Sequence, residues 1–188
     1  MKKILLTTVA TLASVGAFAD DLGICVEGAY PPFSETAEDG SVVGFDIDIA
    51  NALCDEMGKT CEMVKVDWDG IIPALLSKKC DGIIASMSIT PERQEVISFS
   101  GKYYNTPNMF IAKEGTMLDD IAGLKVGVQR GTIHQDLMEK IHPDVELVLY
   151  STQDEAFLDL SAGRIDATVG DAIQNDLGFL QTEAGAGF

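Results

Sequence analysis

The stretch Phe45–Val66, FDIDIANALCDEMGKTCEMVKV, predicts a helix that leads directly into a buried strand. Apolar residues recur at helical spacing from Ile47 to Met57, and Gly58 ends the helix because glycine tolerates the left-handed backbone angles found there. The apolar run that begins at Cys61 is typical of a strand. A helix joined to a buried strand by so short a turn indicates an α/β fold.

The segments on either side extend this alternation of strands and helices. LGICVEG (22–28) predicts a strand, DGIIPALLSKKC (69–80) predicts a helix with Pro73 near its start, and DGIIAS (81–86) predicts another strand. The order strand–helix–strand–helix–strand predicts a parallel sheet covered by helices, because parallel strands need a crossover connection.

A second α/β unit is predicted after the segment NTPNMFIAKEG (105–115). Strands and helices alternate there in the segments KVGVQ, TIHQDLMEKIH, VELVLY, TQDEAFLDLSAG, DATVG and DAIQNDLGFLQ. Asn105 and Pro107 interrupt the periodicity between the two units. We therefore expect one lobe at 20–106 and a second lobe at 107–188, both of the α/β class.

The first residues, MKKILLTTVATLASVGAFA (1–19), have the features of a secretory signal peptide. Two lysines precede an apolar run, and Ala17-Phe18-Ala19 matches a cleavage site. A membrane anchor is the less favoured alternative, because the run is short and Asp20 follows it at once. We expect export with cleavage after Ala19.

The formal net charge of the chain is −17, which argues against two classes of partner. Nucleic acids and anionic membranes carry phosphates that bind basic surfaces, so we expect neither as a partner. An acidic surface suits a soluble protein and attracts cations weakly, since salt screens the attraction.

The cysteines of an exported chain can form disulfides. Cys54 and Cys61 flank the turn DEMGKT, so we expect a disulfide that ties the helix to the strand. Cys25 and Cys80 lie at the edges of predicted strands and either pair or remain buried thiols. No C-x-x-C motif is present and both histidines lie far away in sequence, so no zinc site is expected. We also expect no cofactor and no other metal.

Two segments of the chain share a pattern that points to a binding edge. LSKKCDGIIAS (76–86) and LSAGRIDATVGD (160–171) both combine a helix end, a basic residue, an aspartate and a buried strand. The match leaves Ser86 and Asp171 at the carboxyl ends of equivalent strands. Ligands of open parallel sheets bind in the crevice at that edge, so we expect one polar contact from each unit.

Arg93 lies in the first turn of a short predicted helix, where the helix dipole disfavours a cation. Thr90 and Pro91 mark the start of that helix. The unfavourable position raises the question of what the arginine binds. An ion pair with Glu92, with Glu95 or with another acidic residue of the surface is one answer that the local pattern leaves open.

The other answer is a ligand site. A guanidinium grips a carboxylate through two parallel hydrogen bonds, and Ser86 and Ser88 add further donors. Asp171, from the other unit, suits an ammonium group. An anion site that faces a cation site matches the two charges of a free amino acid.

Several motifs, read in order, resemble one protein family. GAYPPF, GFDIDIANALC, WDGIIPAL, DGIIASMSITPERQ and AGRIDATVGDA resemble the amino-acid-binding proteins of bacterial ABC importers, the family 3 solute-binding proteins. KYYNTP and GVQRGTIH resemble the arginine/ornithine-binding members and, more broadly, the lysine/arginine/ornithine-binding group. The likeness covers nearly all of the chain after the signal peptide.

The resemblance implies the periplasmic binding protein type II fold, with two α/β lobes that a hinge joins and that close on one ligand. It implies a monomeric periplasmic protein, not an enzyme, that captures arginine, ornithine or lysine and delivers the amino acid to an inner-membrane permease. Relatives continue beyond the position that matches Phe188. We therefore expect the last part of the fold to be missing, with lobe 1 lacking its C-terminal return and lobe 2 nearly complete.

The resemblance also implies how the ligand's backbone groups are bound. Arg93 binds the α-carboxylate with help from Ser88 and from the N–H of Ile133. Ser86 and Asp171 bind the α-ammonium group.

The side chain of the ligand is implied to lie between two aromatic rings. Tyr30 and Trp68 sandwich it, and Glu27 faces its distal cationic group. Aromatic faces attract such a cation by roughly 0.5–2 kcal/mol. Three further residues are implied to line the same pocket: Ala85, Gln129 and His134.

An enzyme on the same fold is the alternative function. A periplasmic protein similar to cyclohexadienyl dehydratase needs an acid or base held over its substrate. Glu27, His134 and Asp171 are the candidates. Binding of the ligand's two cationic groups already accounts for Glu27 and Asp171. A sensor domain of a receptor is a further alternative, which the predicted signal peptide disfavours.

Overall fold

The structure is a computed structural model that describes residues 21–118 and 121–188. The predicted signal peptide, residues 1–19, lies outside the described residues. Within them the chain forms two α/β lobes, each built on its own mainly parallel sheet. No helix in these two ranges has the length and apolar character needed to cross a bilayer.

Residues 21–106 of lobe 1 form six strands and three helices. In chain order they are β1 (Leu22–Val26), β2 (Ala29–Tyr30), β3 (Ser34–Thr36), β4 (Val42–Val43), α1 (Phe45–Met57), β5 (Cys61–Lys65), α2 (Trp68–Leu76), β6 (Gly82–Ile83) and α3 (Pro91–Gln94). Strands β5, β1 and β6 form a parallel sheet in that order, so the predicted strand–helix–strand–helix–strand unit is confirmed. Gly58 ends α1 with φ of 63°, as the sequence predicts.

Two details of lobe 1 differ from the sequence analysis. Strands β2, β3 and β4 form a small antiparallel sheet that was not predicted, because strands of two or three residues are too short to show an alternating pattern. Helix α2 begins at Trp68, so Pro73 lies in its interior rather than near its start.

The described part of lobe 2 contains four strands and three α-helices, followed by a π-helical turn and a 3₁₀ turn at Glu183–Gly185. In chain order they are β7 (Asn108–Ala112), β8 (Lys125–Gln129), α4 (Ile133–Ile141), β9 (Glu146–Tyr150), α5 (Gln153–Ser161), β10 (Ala167–Asp171) and α6 (Ala172–Asn175). The sheet order is β7–β10–β8–β9, with β8, β9 and β10 parallel and β7 antiparallel. The last predicted helix is divided, since a π-helical turn at Asp176–Leu180 follows α6.

Each parallel sheet is covered on both faces, as parallel sheets require. In β1 the side chains alternate, so that Val26 packs with α1 while Cys25 packs with Ile71 of α2. In lobe 2, Val126 and Val169 pack with Met138 of α4, and a second cluster containing Phe157 covers the opposite face of the sheet. This packing leaves the carboxyl ends of the strands to face the space between the lobes.

All of the cysteines are paired in disulfides. The predicted bond between Cys54 and Cys61 joins the end of α1 to the start of β5 and is confirmed. Cys25 and Cys80 also form a disulfide, with Cα atoms 5.7 Å apart. That bond joins β1 to the loop before β6, and it decides between the two alternatives that the sequence left open.

Candidate functional site

A narrow cavity of about 30 Å³ lies between the lobes, at the carboxyl ends of the strands. All residues that the sequence analysis assigned to the ligand line it: Glu27, Tyr30, Trp68, Ala85, Ser86, Ser88, Arg93, Gln129, Ile133, His134 and Asp171. Four further residues line the same cavity: Thr132, Gln153, Gly170 and Gln174. The sequence analysis missed these four, although each lies within a few residues of the carboxyl end of β8, β9 or β10.

Arg93 reaches across the space between the lobes. Its Nη1 donates to the carbonyl oxygen of Ser88 at 2.8 Å, and its Nη2 donates to the carbonyl oxygen of Gly131, in lobe 2, at 3.1 Å. The guanidinium also lies over the ring of Trp68, with Cζ 5.4 Å from the ring centroid. No salt bridge of the described residues involves Arg93, so the surface ion pair with Glu92 or Glu95 is absent there.

The environment of Arg93 leaves its positive charge without a full counter-charge. Burial lowers the pKa of the guanidinium, and the more distant carboxylates of Asp136 and Glu92 oppose that shift. Carbonyl oxygens satisfy hydrogen bonds but carry no net charge, so a partly buried cation whose hydrogen bonds go to carbonyl oxygens is suited to bind an anion. Ile133 opens α4 beside it, and the N-terminus of a helix also favours negative charge.

Asp171, the last residue of β10, forms the anionic counterpart in lobe 2. The hydroxyl of Tyr30, from lobe 1, donates a hydrogen bond to its Oδ2. His134 Nε2 lies 3.5 Å from Oδ1 of the same carboxylate. Burial and the charge of Asp171 raise the pKa of Tyr30, so the phenol keeps its proton and acts as a donor.

Ser86 has an unusual backbone conformation for a residue other than glycine, with φ of 51°. Its Oγ donates to Asp46 Oδ2 at 2.9 Å, and its N–H donates to the hydroxyl of Tyr103 at 3.0 Å. That hydroxyl in turn donates to Asp46 Oδ1 at 3.0 Å. Asp46 and Tyr103 thus position Ser86 at the edge of the cavity. Sequence reasoning did not find them, although a carboxylate on the buried side of α1 is itself a signal.

The side chain of Glu27 is buried, with 4% of its surface exposed, and it accepts a hydrogen bond from the neutral amide of Gln129. Gln129 Nε2 donates to Glu27 Oε1 at 2.6 Å and also to the carbonyl oxygen of Ser151 at 3.1 Å. Burial raises the pKa of Glu27 to about 7, while the hydrogen bond from Gln129 lowers it and the charges of Asp154, Asp67 and Asp69 raise it further. A buried carboxyl group with no cationic partner is suited to bind a cation.

Two more hydrogen bonds join the lobes around the cavity. The carbonyl oxygen of Gly131 accepts from Trp68 Nε1 at 3.1 Å as well as from Arg93. Gly131 presents that oxygen from a turn with φ of 71°, a conformation that other residues rarely adopt. At the mouth of the cleft, Arg130 Nη1 donates to Asp69 Oδ2 at 3.0 Å. The structure therefore shows the lobes in contact.

Comparisons with known proteins agree with this geometry. The family model described as bacterial extracellular solute-binding proteins, family 3, matches residues 22–142. The L-arginine-binding protein of Pseudomonas aeruginosa is 46% identical over 198 residues, which cover 100% of this chain and 76% of that protein. The lysine/arginine/ornithine-binding periplasmic protein of Escherichia coli (strain K12) is 38% identical, covering 98% of this chain and 74% of that protein.

A solved structure is also similar. It is an ancestral arginine-binding protein bound to arginine, with a TM-score of 0.84 and 38% sequence identity. The match covers 89% of this chain and 76% of that chain. The similarity therefore extends over both lobes and includes the strands that carry the cavity.

Proposed function

Because this chain belongs to family 3 of the bacterial extracellular solute-binding proteins, we propose that it captures a basic L-amino acid in the periplasm and delivers it to the permease of an ABC importer. Arginine is the first candidate ligand, with ornithine and lysine next. The observation that carries the proposal is the pairing of the partly buried guanidinium of Arg93, in lobe 1, with the carboxylate of Asp171, in lobe 2, at one cavity.

The α-carboxylate of the ligand binds Arg93, which exchanges neutral carbonyl partners for a charged one. Ser88 and the N–H of Ile133 complete that end of the site. The α-ammonium group binds Asp171 and Ser86, and in doing so it replaces the hydroxyl of Tyr30 as the donor to the carboxylate. Charge-assisted hydrogen bonds are stronger than neutral ones, which favours both exchanges.

The side chain of the ligand binds between the aromatic rings of Tyr30 and Trp68. Its distal guanidinium or ammonium group faces Glu27, where it replaces Gln129 as the partner of the carboxylate. Stacking of Tyr30 on Phe33, with ring centroids 5.6 Å apart, fixes the position of one ring. Ala85 and His134 complete the wall of the pocket.

Transport follows from the position of these groups on two lobes, 20–106 and 107–188. Only a closed arrangement lets one ligand contact Arg93 and Asp171 together, so the ligand shifts the population of the protein toward closure. The closed monomer is the form that docks on the permease. The predicted signal peptide provides the route to the periplasm.

Titration calorimetry against a panel of L-amino acids tests this proposal. Arginine, ornithine and lysine are expected to bind, with glutamate and leucine at least about a hundredfold weaker, because neither carries a cation for the buried Glu27 carboxyl group. Binding of none of the basic amino acids would contradict the proposal. Turnover of prephenate or arogenate would instead support the dehydratase alternative, which the similar proteins named above, all binding proteins, do not favour.

Replacing Glu27 by glutamine is expected to weaken arginine binding by about tenfold to a hundredfold, because the variant lacks the buried counter-charge. Neutral amino acids are expected to lose much less. Calorimetry measures both classes of ligand, with Glu62→Gln, an exposed residue of β5, as the control. Equal losses of affinity for cationic and neutral ligands would show that Glu27 does not determine the specificity of the site.

The same variant tests the pH dependence. The raised pKa of Glu27 makes its contribution to the stability of the unliganded fold greatest below 4.5, and that contribution is lost as the pH rises through about 7. A cationic ligand selects the deprotonated carboxylate, so arginine affinity is expected to rise by up to about tenfold from pH 6 to pH 8. Glu27→Gln should flatten this rise, and any slope that remains belongs to other groups, such as Asp46, whose pKa burial raises to about 6.

A further inference from the structure

The wall of the cavity contains three buried glutamines, and two of them are already hydrogen-bonded. Gln129 donates to Glu27 and to the carbonyl oxygen of Ser151, and Gln153 donates to Thr168 Oγ1 at 2.9 Å. The third, Gln174 of α6, is fully buried, with 0% of its surface exposed. Among residues 21–118 and 121–188, neither Nε2 nor Oε1 of Gln174 has a hydrogen-bond partner.

An unpartnered buried amide is unfavourable, and its location suggests what satisfies it. A buried polar atom that lacks a partner costs about 1–3 kcal/mol, and native structures contain few of them. In the described residues four such side-chain atoms occur, and two of them belong to Gln174. A third is Nε2 of the cavity residue His134, which lies 3.5 Å from Asp171 Oδ1 but forms no hydrogen bond. The clustering at one cavity indicates that a ligand supplies the missing hydrogen bonds.

The chemistry of the carboxamide limits the group that can satisfy it. Nε2 donates and Oε1 accepts, so a full partner must carry both an acceptor and an N–H donor. In the proposed binding mode the α-carboxylate and the α-ammonium are already engaged by Arg93 and Asp171. A guanidinium has donors only and satisfies Oε1 alone, whereas a ureido or carboxamide group satisfies both atoms.

We propose that Gln174 is a specificity-determining residue that hydrogen-bonds the end of the ligand's side chain and extends the pocket to neutral amino acids with a ureido or carboxamide group. The inference rests on the proposed function and adds to it a second ligand class. L-Citrulline is the matched probe, because it has the shape of L-arginine with a carbonyl oxygen in place of one charged nitrogen. Glu27 favours arginine in this comparison, and Gln174 favours citrulline.

The test compares L-arginine and L-citrulline by calorimetry on the wild type and on Gln174→Met, a side chain of similar length without an amide. One hydrogen bond corresponds to a loss of about threefold to tenfold, so arginine is expected to lose about that much. Citrulline, which uses both amide atoms, is expected to lose about tenfold to a hundredfold. Gln181→Met, at an exposed glutamine bound to Asp176, is the control and should change neither affinity.

Thermal melting without ligand separates this role from a purely structural one. Because Gln174 has no partner in the described part of the protein, Gln174→Met should keep or raise the melting temperature. A fall in melting temperature with an unchanged ratio of citrulline to arginine affinity would mean that internal water holds the amide, and would overturn the proposal. Failure of the wild type to bind citrulline while it binds arginine would also overturn it, whereas failure to bind arginine would overturn the proposed function instead.

Discussion

Replacing Arg93 by alanine is expected to weaken L-arginine binding by about 2–5 kcal/mol, or roughly 30-fold to 5,000-fold. The guanidinium is partly desolvated before the ligand arrives, since two carbonyl oxygens and the ring of Trp68 hold it in place. Its removal leaves the α-carboxylate of the ligand buried without a counter-charge, which is the main cause of the loss. Titration calorimetry at fixed ionic strength measures the effect.

Arg130→Ala is the matched control for this prediction. Arg130 lies at the mouth of the same cleft and also bridges the lobes, but its ion pair with Asp69 is about half exposed on both sides. Exposed pairs contribute about 0–1 kcal/mol, so its loss should change affinity by no more than about fivefold. Similar small losses for both arginines would show that Arg93 does not bind the carboxylate.

Replacing Asp171 by asparagine is expected to cost a comparable amount, about 2–5 kcal/mol of arginine binding. The variant retains an oxygen that accepts the hydrogen bond from Tyr30, so the contact between the lobes and the unliganded fold should persist. What it lacks is the negative charge that the α-ammonium group of the ligand requires. Calorimetry gives the affinity, and thermal melting without ligand checks that the fold is unchanged.

Asp144→Asn provides the control for Asp171. Asp144 is an exposed residue in the turn between α4 and β9, and the same loss of charge there should leave affinity unchanged. If Asp171→Asn binds arginine within about threefold of the wild type, the ammonium group is bound elsewhere. The proposed clamp, formed by Arg93 in lobe 1 and Asp171 in lobe 2, would then lack its group for the α-ammonium.

Local sequence rules were sufficient for the elements that carry a repeated pattern. Helix α1 runs from the predicted start to Gly58, and β8 has the predicted bounds, because each contains enough apolar residues to fix a period. Strand β7 was missed because its partner is β10, and two strands and two helices lie between them in the chain. Its register depends on a partner that local patterns do not contain.

The candidate site shows the same division. Thr90 caps the helix that carries Arg93, as predicted. The pattern shared by 76–86 and 160–171 predicts Ser86 and Asp171 at one edge of the sheets, and both line the cavity there. Asp46 is signalled by its place on the buried side of α1, but its contact with Ser86 and Tyr103 could not be predicted, since the three residues lie in different parts of the chain. Gln174 was missed because an amide can be recognised as lacking hydrogen-bond partners only when the positions of all neighbouring atoms are known.

The proposed site binds both charged ends of a zwitterion, so ligand analogues that lack one end offer the most direct test. Agmatine lacks the α-carboxylate of arginine, and the deaminated analogue of arginine lacks the α-ammonium group, while both keep the guanidinium. In calorimetry on the wild-type protein, each is expected to bind at least about a hundredfold more weakly than L-arginine. Binding of either analogue with the affinity of L-arginine would contradict the clamp formed by Arg93 and Asp171.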